Sequence, residues 1–446
     1  MEKSNIDEKI KLLTGSGMWH TQEVEGLPSV HLSDGPHGLR KQEEKERQNN
    51  VSLVSTCYPT ASALACSWDV TAAERLGRAV AKEAWNADVA VLLGPGINMK
   101  RSPLCGRNFE YFSEDPFLAG RLGAAYVSAA QGENVAVSLK HFAANNQETN
   151  RQTSNSQIDE RALREIYLSA FEYVVKTARP ATIMASYNRL NGYYACENRH
   201  LLTEILREEW GFDGVVISDW GACADLAKAV KAGMDLEMPD SHGIHARKLK
   251  AALKAGEISE EDIAKAAGRI EKLVKKYAPD NRAKKDTSDA HEIAKQLACE
   301  SAVLLKNDGV LPLDTAKKIA FIGPYTNNHE IKSSWSFTGD SKDCVTIQEA
   351  AEKVFDASRT TYAEGCPVIG NDVELIGFTE TTPKKYSGEE LAVMEQSALK
   401  AAKEADLVVM PLGEHYLQSG EATSRAMIDV PEIQMELFHK VLAVNP

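Results

Sequence analysis

Up to residue 275 the chain alternates. Short, almost purely apolar runs are followed by amphipathic stretches, and each apolar run stops abruptly on polar residues. VHLSDGPHG carries Asp34, DVAVLLGPGIN (88–98) runs into the loop MKRSPLCGRNFEYFSEDP, and NVAVSLKHF (134–142) closes on Lys140 and His141. ATIMASYNRLNG stops at Tyr187 and Asn188, FDGVVISDWG at Asp219, and GMDLEMP carries Asp235 and Glu237. Near-continuous apolar strands are what a parallel sheet buried on both faces requires. The βαβα order over residues 1–275 therefore predicts an α/β fold with a (β/α)8-type, TIM-like barrel rather than an open sheet. The open-sheet alternative needs a glycine-rich phosphate loop after an early strand, and neither GxGxxG nor a GxxxxGK motif occurs.

The stretches between the strands read as helices. Thr71 with Glu74 predicts a capping box ahead of ERLGRAVAKEAW. In DERALREIYLSAFEYVVKTARP the apolar Leu163, Ile166, Tyr167, Ala170, Phe171 and Val174 recur at helical spacing. Residues 276–290 are polar, contain a proline and lack apolar periodicity, which reads as a linker. A second, smaller parallel α/β sandwich domain is expected over 291–446. Its elements are a helix over about 291–305, a strand in KKIAFIGP (317–324), a Gly- and Ser-rich segment around SSWSFTGD, a helix near 386–404 and a strand in ADLVVMPLG. The last helix, PEIQMELFHKVLAV, ends just before Asn445 and Pro446. A sheet of two or three strands leaves much apolar surface uncovered. The expectation is a domain cut before its sheet is finished, covered by a missing C-terminal part or by a homo-oligomer.

Composition narrows the partners. With 51 Lys and Arg against 64 Asp and Glu, the net charge is −13. That balance argues against nucleic acid, which needs clustered cations, and against anionic membrane surfaces. No apolar run is long enough to span a bilayer. The opening MEKSNIDEKIKLL mixes both charge signs and lacks an apolar signal core, and the eight scattered cysteines form no CxxC. Together these predict a cytoplasmic protein with free thiols.

The chemistry is positional. Barrels place catalytic groups at the C-terminal ends of several strands. Asp34, Lys140, His141, Tyr187 and Asp219 all sit at such ends, with Arg107 and Arg151 in adjoining loops. Any one of them alone is more often just a cap or turn residue; together they predict a convergent polar pocket. Asp219 can be a nucleophile, a metal ligand or a helix cap, and Trp220 beside it offers a flat face for a sugar ring or for ordinary packing. Lys140 and His141 are adjacent, so on a flat strand they point to opposite faces, and only a bend brings both to one pocket. His242 and His245 are spaced i,i+3 but lack a nearby acidic third ligand in the sequence, so no metal is expected.

The strings SDGPHGLR, PLCGRNFEYFSEDP, KHFAANNQETNR, DERALREIY, SYNRLNG, LREEWGFDGVVISDW, LLKNDGVLPL and SGEATSR succeed one another in an order that resembles glycoside hydrolase family 3. The nearest likeness is to its bacterial β-glucosidases. The resemblance implies that Asp219 is the nucleophile and that Asp34, Arg107, Lys140, His141 and Arg151 bind sugar hydroxyls. It implies that Tyr187 holds the nucleophile, that Glu421 in SGEATSR is the acid/base with Glu414 as runner-up, and that Trp335 faces the leaving group. It implies a retaining, exo-acting β-glucosidase that forms a covalent glycosyl-aspartate intermediate, needs no cofactor and acts on short oligosaccharides or aryl and alkyl β-glucosides. Ala-Ala-Asn-Asn-Gln comes after His141, which departs from the N-acetylglucosaminidase branch. Other readings stay open: a β-xylosidase or α-arabinofuranosidase of the same family, a Schiff-base aldolase using Lys140, or an inactive sugar-binding fragment.

Overall fold

A computed structural model describes residues 6–42, 52–279, 283–329, 343–373 and 383–446. The chain divides into two compact units, one running to Ala302 and the other beginning at Val303. The sequence pattern starts the second domain at 291. The helix Ala290–Glu300 nevertheless belongs to the first unit, where it packs against the helices Ala61–Ala65 and Val70–Asn86.

The first unit is built on a curled sheet. Its strands are β1 (Gly15–Ser16), β2 (His20–Thr21), β3 (His31–Asp34), β4 (Val89–Leu93) and β5 (Ala136–Phe142). After the short β6 (Asn155–Ser156) come β7 (Thr182–Ala185), β8 (Arg189–Leu190), β9 (Tyr193–Tyr194) and β10 (Val215–Ser218). The seven-stranded order is β1-β2-β3-β4-β5-β7-β10, parallel from β3 onward, while β6, β8 and β9 form a small separate sheet. The curl closes through GMDLEMP. Leu236 bridges in parallel to Ile217, and Glu237 bridges in parallel to Thr14. The expected TIM-like barrel is thus present, with a departure from eight equal parallel strands: β1 and β2 are two residues each, and both pairings of β2 are antiparallel.

Every residue of β4, β5, β7 and β10 is buried. This accounts for their unbroken apolar sequences: one face packs inside the barrel and the other meets helices. The helices Val70–Asn86 and Pro116–Gly132 pack so closely that a Cβ on Gly77 would lie 2.5 Å from the Tyr126 carbonyl oxygen. The cap of the former is Asp69, whose side chain accepts from Thr71 N–H, so the expected Thr71 and Glu74 box lies inside the first turn of the helix. Within DERALREIY a π-turn spans Leu163–Tyr167. It adds a residue to the turn and rotates the apolar stripe. Leu163, Ala170, Phe171 and Val174 stay buried while Ile166 faces solvent.

Asp235 is the chief electrostatic fastener of the closure. Fully buried, it accepts from Arg207 Nη2 at 2.7 Å, Arg269 Nη1 at 2.7 Å and Val216 N–H at 2.8 Å. A carboxylate so desolvated is tolerated only because both its oxygens are bonded to cations or N–H groups.

The second unit has a three-stranded parallel sheet. β11 (Ile319–Ile322) lies between β12 (Thr360–Ala363) and β13 (Leu407–Val409). Alternation along β11 sends Ile319 and Phe321 to one small core and Ala320 and Ile322 to another, the latter covered by the helices Gly388–Glu404 and Glu432–Val444. Val303, Leu304, Leu305, Val310 and Leu311 are exposed.

Replacing Asp235 by Ala leaves two arginines without their buried partner. The expected cost is about 3–5 kcal/mol, read as a lowered urea midpoint of the first unit's unfolding. A shift within about 0.5 kcal/mol of the parent would contradict this role.

Candidate active site

The strands β3, β4, β5, β7 and β10 are neighbours in one sheet, so the residues just past their C-terminal ends meet at one mouth. β5 ends irregularly. Its register against β7 slips between Leu139 and Phe142, which lets both Lys140 and His141 meet the groups at the mouth. Lys140 is held to the continuation of β4, with its N–H donating to the Pro95 carbonyl at 3.1 Å and its carbonyl accepting from Ile97 N–H at 2.9 Å. One residue on, the Asn98 side chain takes over the ladder. It accepts from His141 N–H at 2.7 Å and donates to the His141 carbonyl at 2.9 Å.

Asp219 comes directly after β10 and is buried. Its N–H donates to the Ala185 carbonyl at 2.9 Å, and its carbonyl accepts from Ala222 N–H at 3.0 Å. Oδ1 accepts from Trp220 N–H at 2.8 Å, and Oδ2 lies 3.7 Å from His141 Nε2. His141 is buried, and its Nδ1 lies 2.9 Å from the Tyr111 hydroxyl. Burial, followed by the charges of Arg107, Lys140 and Arg151, holds its pKa well below the usual histidine range. The ring is therefore neutral. Placing its proton on Nε2 satisfies both contacts, because Nδ1 then accepts from Tyr111 and N–H points at the carboxylate.

Three cations surround this pair. Arg107 Nε and Lys140 Nζ lie 2.5 Å and 3.5 Å from the carboxylate of Glu110, which is wholly buried. Burial alone would raise the Glu110 pKa, but Arg107 and Lys140 outweigh it and keep the group below the ordinary range. Arg151 donates to Glu148 at 2.8 Å, and its guanidinium stacks 4.0 Å from the centre of the Tyr187 ring. Tyr187 donates its hydroxyl to the Trp220 carbonyl at 3.1 Å. Trp220 Nε1 donates to the Met18 carbonyl at 2.8 Å, and its ring meets Trp19 at 5.2 Å, tilted by 39°. Asp34 ends β3 and pairs with Arg40 at 3.9 Å.

Arg107, Lys140, His141, Arg151, Tyr187, Asp219 and Trp220 thus form one linked cluster, with Asp34 on the next strand end. Glu421 lies in the second unit, half-buried, in the loop after the short turn Tyr416–Gln418. Glu414 is paired there with Arg425. Trp335 lies outside the described residues. Glu110, Glu148, Tyr111, Asn98, His37 and Trp19 also belong to the mouth, although the strand-end pattern does not single them out. The two acids have a signal, since each stands three residues from its arginine in the strings RNFE and ETNR. The expectation that His242 and His245 lack an acidic third ligand needs correction. The fold brings Glu237 to hydrogen-bond His245, while His242 is exposed near Asp240.

Comparison with known proteins adds to this geometry. Residues 36–273 match the family profile described as "Glycosyl hydrolase family 3 N terminal domain" and residues 302–446 its C-terminal counterpart. The chain is 42% identical, over its whole length, to a thermostable β-glucosidase B of Acetivibrio thermocellus, of which it covers 58%. It is 40% identical over 99% of its length to an exo-α-(1→6)-L-arabinopyranosidase of Bifidobacterium longum, again covering 58%. A solved β-glucosidase of Bifidobacterium adolescentis superposes with a TM-score of 0.88 at 39% identity, over 99% of this chain and 62% of that one. The chain therefore spans less than two thirds of these relatives.

His37, fully buried, has its pKa lowered to about 4, by burial first and then by Lys140, with Glu110 opposing. Its folded form stays neutral where the unfolded form takes up a proton. Its contribution is intact above pH 6.5 and is lost as the pH falls towards 4, on the order of 3 kcal/mol in all. The His37→Gln variant should show a flatter fall of stability between pH 6.5 and 4 in urea titrations. An unchanged slope would show that His37 does not govern it.

Proposed function

The chain belongs to glycosyl hydrolase family 3, and from that premise we propose that it is a retaining, exo-acting β-glucosidase. Asp219 acts as the nucleophile that forms a glycosyl-enzyme ester. The observation that carries the reading is the setting of Asp219: a buried carboxylate at a strand end, oriented by Trp220 N–H and faced by a neutral imidazole. A neutral imidazole 3.7 Å away faces the carboxylate without pairing with it as a cation would, and in this reading Asp219 attacks the anomeric carbon.

In this reading Lys140, His141, Arg107, Arg151 and Asp34 hold the hydroxyls of the terminal sugar. Charge-assisted bonds from such groups fix a ring firmly. The tilted Trp19 and Trp220 rings offer an apolar wall to a sugar face. Glu421 protonates the leaving oxygen and then draws the proton from water, the second of the two carboxyl roles that a retaining glycosidase needs. Glu421 is preferred to Glu414 because it stands within the SGEATSR string that carries the family resemblance.

Asp219→Ala should lower turnover of a nitrophenyl β-glucoside by roughly 1,000-fold or more, with azide restoring turnover and giving the α-glucosyl azide. Activity near the parent level would refute the assignment. For Glu421→Ala, cellobiose hydrolysis should fall roughly 100- to 10,000-fold, while a dinitrophenyl glucoside, whose leaving group needs no proton, should lose far less. Equal losses on both would remove Glu421 from the role.

The named activity of the Bifidobacterium longum relative supports a second reading, release of terminal α-L-arabinopyranosyl residues. That sugar lacks the hydroxymethyl arm of glucose. Comparing kcat/KM on matched nitrophenyl glucoside, xyloside and arabinosides separates these specificities.

A further inference from the structure

Beside the Asp219 turn lies a second chemical cluster that the proposed hydrolysis does not use. Cys223 Sγ, a carboxylate oxygen of Glu237 and a ring nitrogen of His245 all lie within 4.8 Å of one another. They come from three separate places in the chain. Cys223 lies past the turn that leaves Asp219, Glu237 sits on the segment that closes the barrel, and His245 opens the helix Ile244–Ala255. Cys223 and Glu237 are buried and the His245 side chain is 16% exposed, so solvent reaches the cluster at the histidine. His245 Nδ1 is hydrogen-bonded to Glu237 Oε1, and Ser241 Oγ lies 3.3 Å from the other carboxylate oxygen.

We propose that Cys223, Glu237 and His245 form a divalent-cation site that takes Zn2+. Thiolate, imidazole and carboxylate are its three common protein ligands, and one of each leaves a fourth, tetrahedral position for water. Bonds of about 2.0–2.3 Å place tetrahedral donors roughly 3.3–3.8 Å apart, so modest side-chain rotation closes the set. On binding, the Cys223 S–H bond breaks and its proton leaves to solvent as the S–Zn bond forms. His245 Nδ1, which donates its hydrogen to Glu237 in the absence of metal, gives that proton up while the ring takes one at Nε2, and the freed Nδ1 lone pair turns to the metal. Ser241 keeps hold of the carboxylate, the outer-shell support that ligating acids usually have.

The site abuts the proposed nucleophile. Ala222 N–H donates to the Asp219 carbonyl at 3.0 Å, and Gly221 N–H donates to the Met238 carbonyl, next to Glu237, at 2.9 Å. The test reads the metal and not hydrolysis, so its result is independent of the glycosidase reading. The full chain, stripped with a chelator, is titrated with Co2+, and Zn2+ is then added. Expected are tetrahedral d–d bands and a thiolate-to-cobalt charge-transfer band, both displaced by Zn2+. Cys223→Ser should abolish the charge-transfer band. His245→Gln, a change at the most exposed of the three ligands, should weaken Co2+ binding at least tenfold. Cys66→Ser with Cys299→Ser, which removes two exposed thiols, should leave the spectrum unchanged. No charge-transfer band in the parent, a band that survives Cys223→Ser, or unchanged affinity in His245→Gln would each overturn the proposal. If Cys223→Ser does not fold, the His245 variant decides.

Discussion

The mouth of the barrel depends on acids placed beneath its cations. Arg107, Lys140 and Arg151 are each no more than 7% exposed, and bare charges at such depth would not be tolerated. Glu110 answers the first two and Glu148 the third. The acids spend themselves on the cations, so the cations arrive pre-oriented with N–H groups held in place. The same positive charges, together with burial, keep His141 neutral. One buried carboxylate thereby influences the side chain that faces Asp219 without touching it. This is preorganisation in an electrostatic sense: the cost of arranging the dipoles is met when the chain folds, not when a ligand arrives.

Much of this architecture is legible in the chain. Apolar runs ending in polar residues locate β3, β4, β5, β7 and β10, because a strand buried on both faces admits little else. The cations and Asp219 are visible as the polar ends of those runs or in the loops beside them. Their acidic partners are less so, although Glu110 and Glu148 stand three residues from their arginines. Asn98 and Tyr111 are invisible for another reason. Their work is to bond the backbone and ring of His141 across the sheet, a relation between residues 43 and 30 positions apart that no local pattern carries. The π-turn at Leu163–Tyr167 escapes because a helical stripe looks continuous until one extra residue rotates it. The pairing of Glu237 with His245 escapes because spacing along the chain says little about which loops fold onto one another.

The second unit obeys the same rules on a smaller scale. β11 is central and splits its side chains between two cores, as a parallel strand covered on both faces must. The apolar residues at Val303–Leu305 and Val310–Leu311 remain open to solvent. The chain spans 58% of the length of its curated relatives from Acetivibrio thermocellus and Bifidobacterium longum.

The closure of the curled sheet also has a temporal side. Thr14 pairs with Glu237, far along the chain. During synthesis the segment that begins the barrel leaves the ribosome long before its second neighbour exists. β2 and β3 protect one side early, but the other edge waits for the Asp235–Met238 segment to be made. Contacts of such sequence separation form late, because the entropy of closing the loop must be met before the pairing rewards it. In the interval the nascent sheet is an open edge, competent to pair with another chain. For this protein the vulnerable period is set by the translation of a stretch far from its first strand, and chaperone demand should track how fast that stretch emerges.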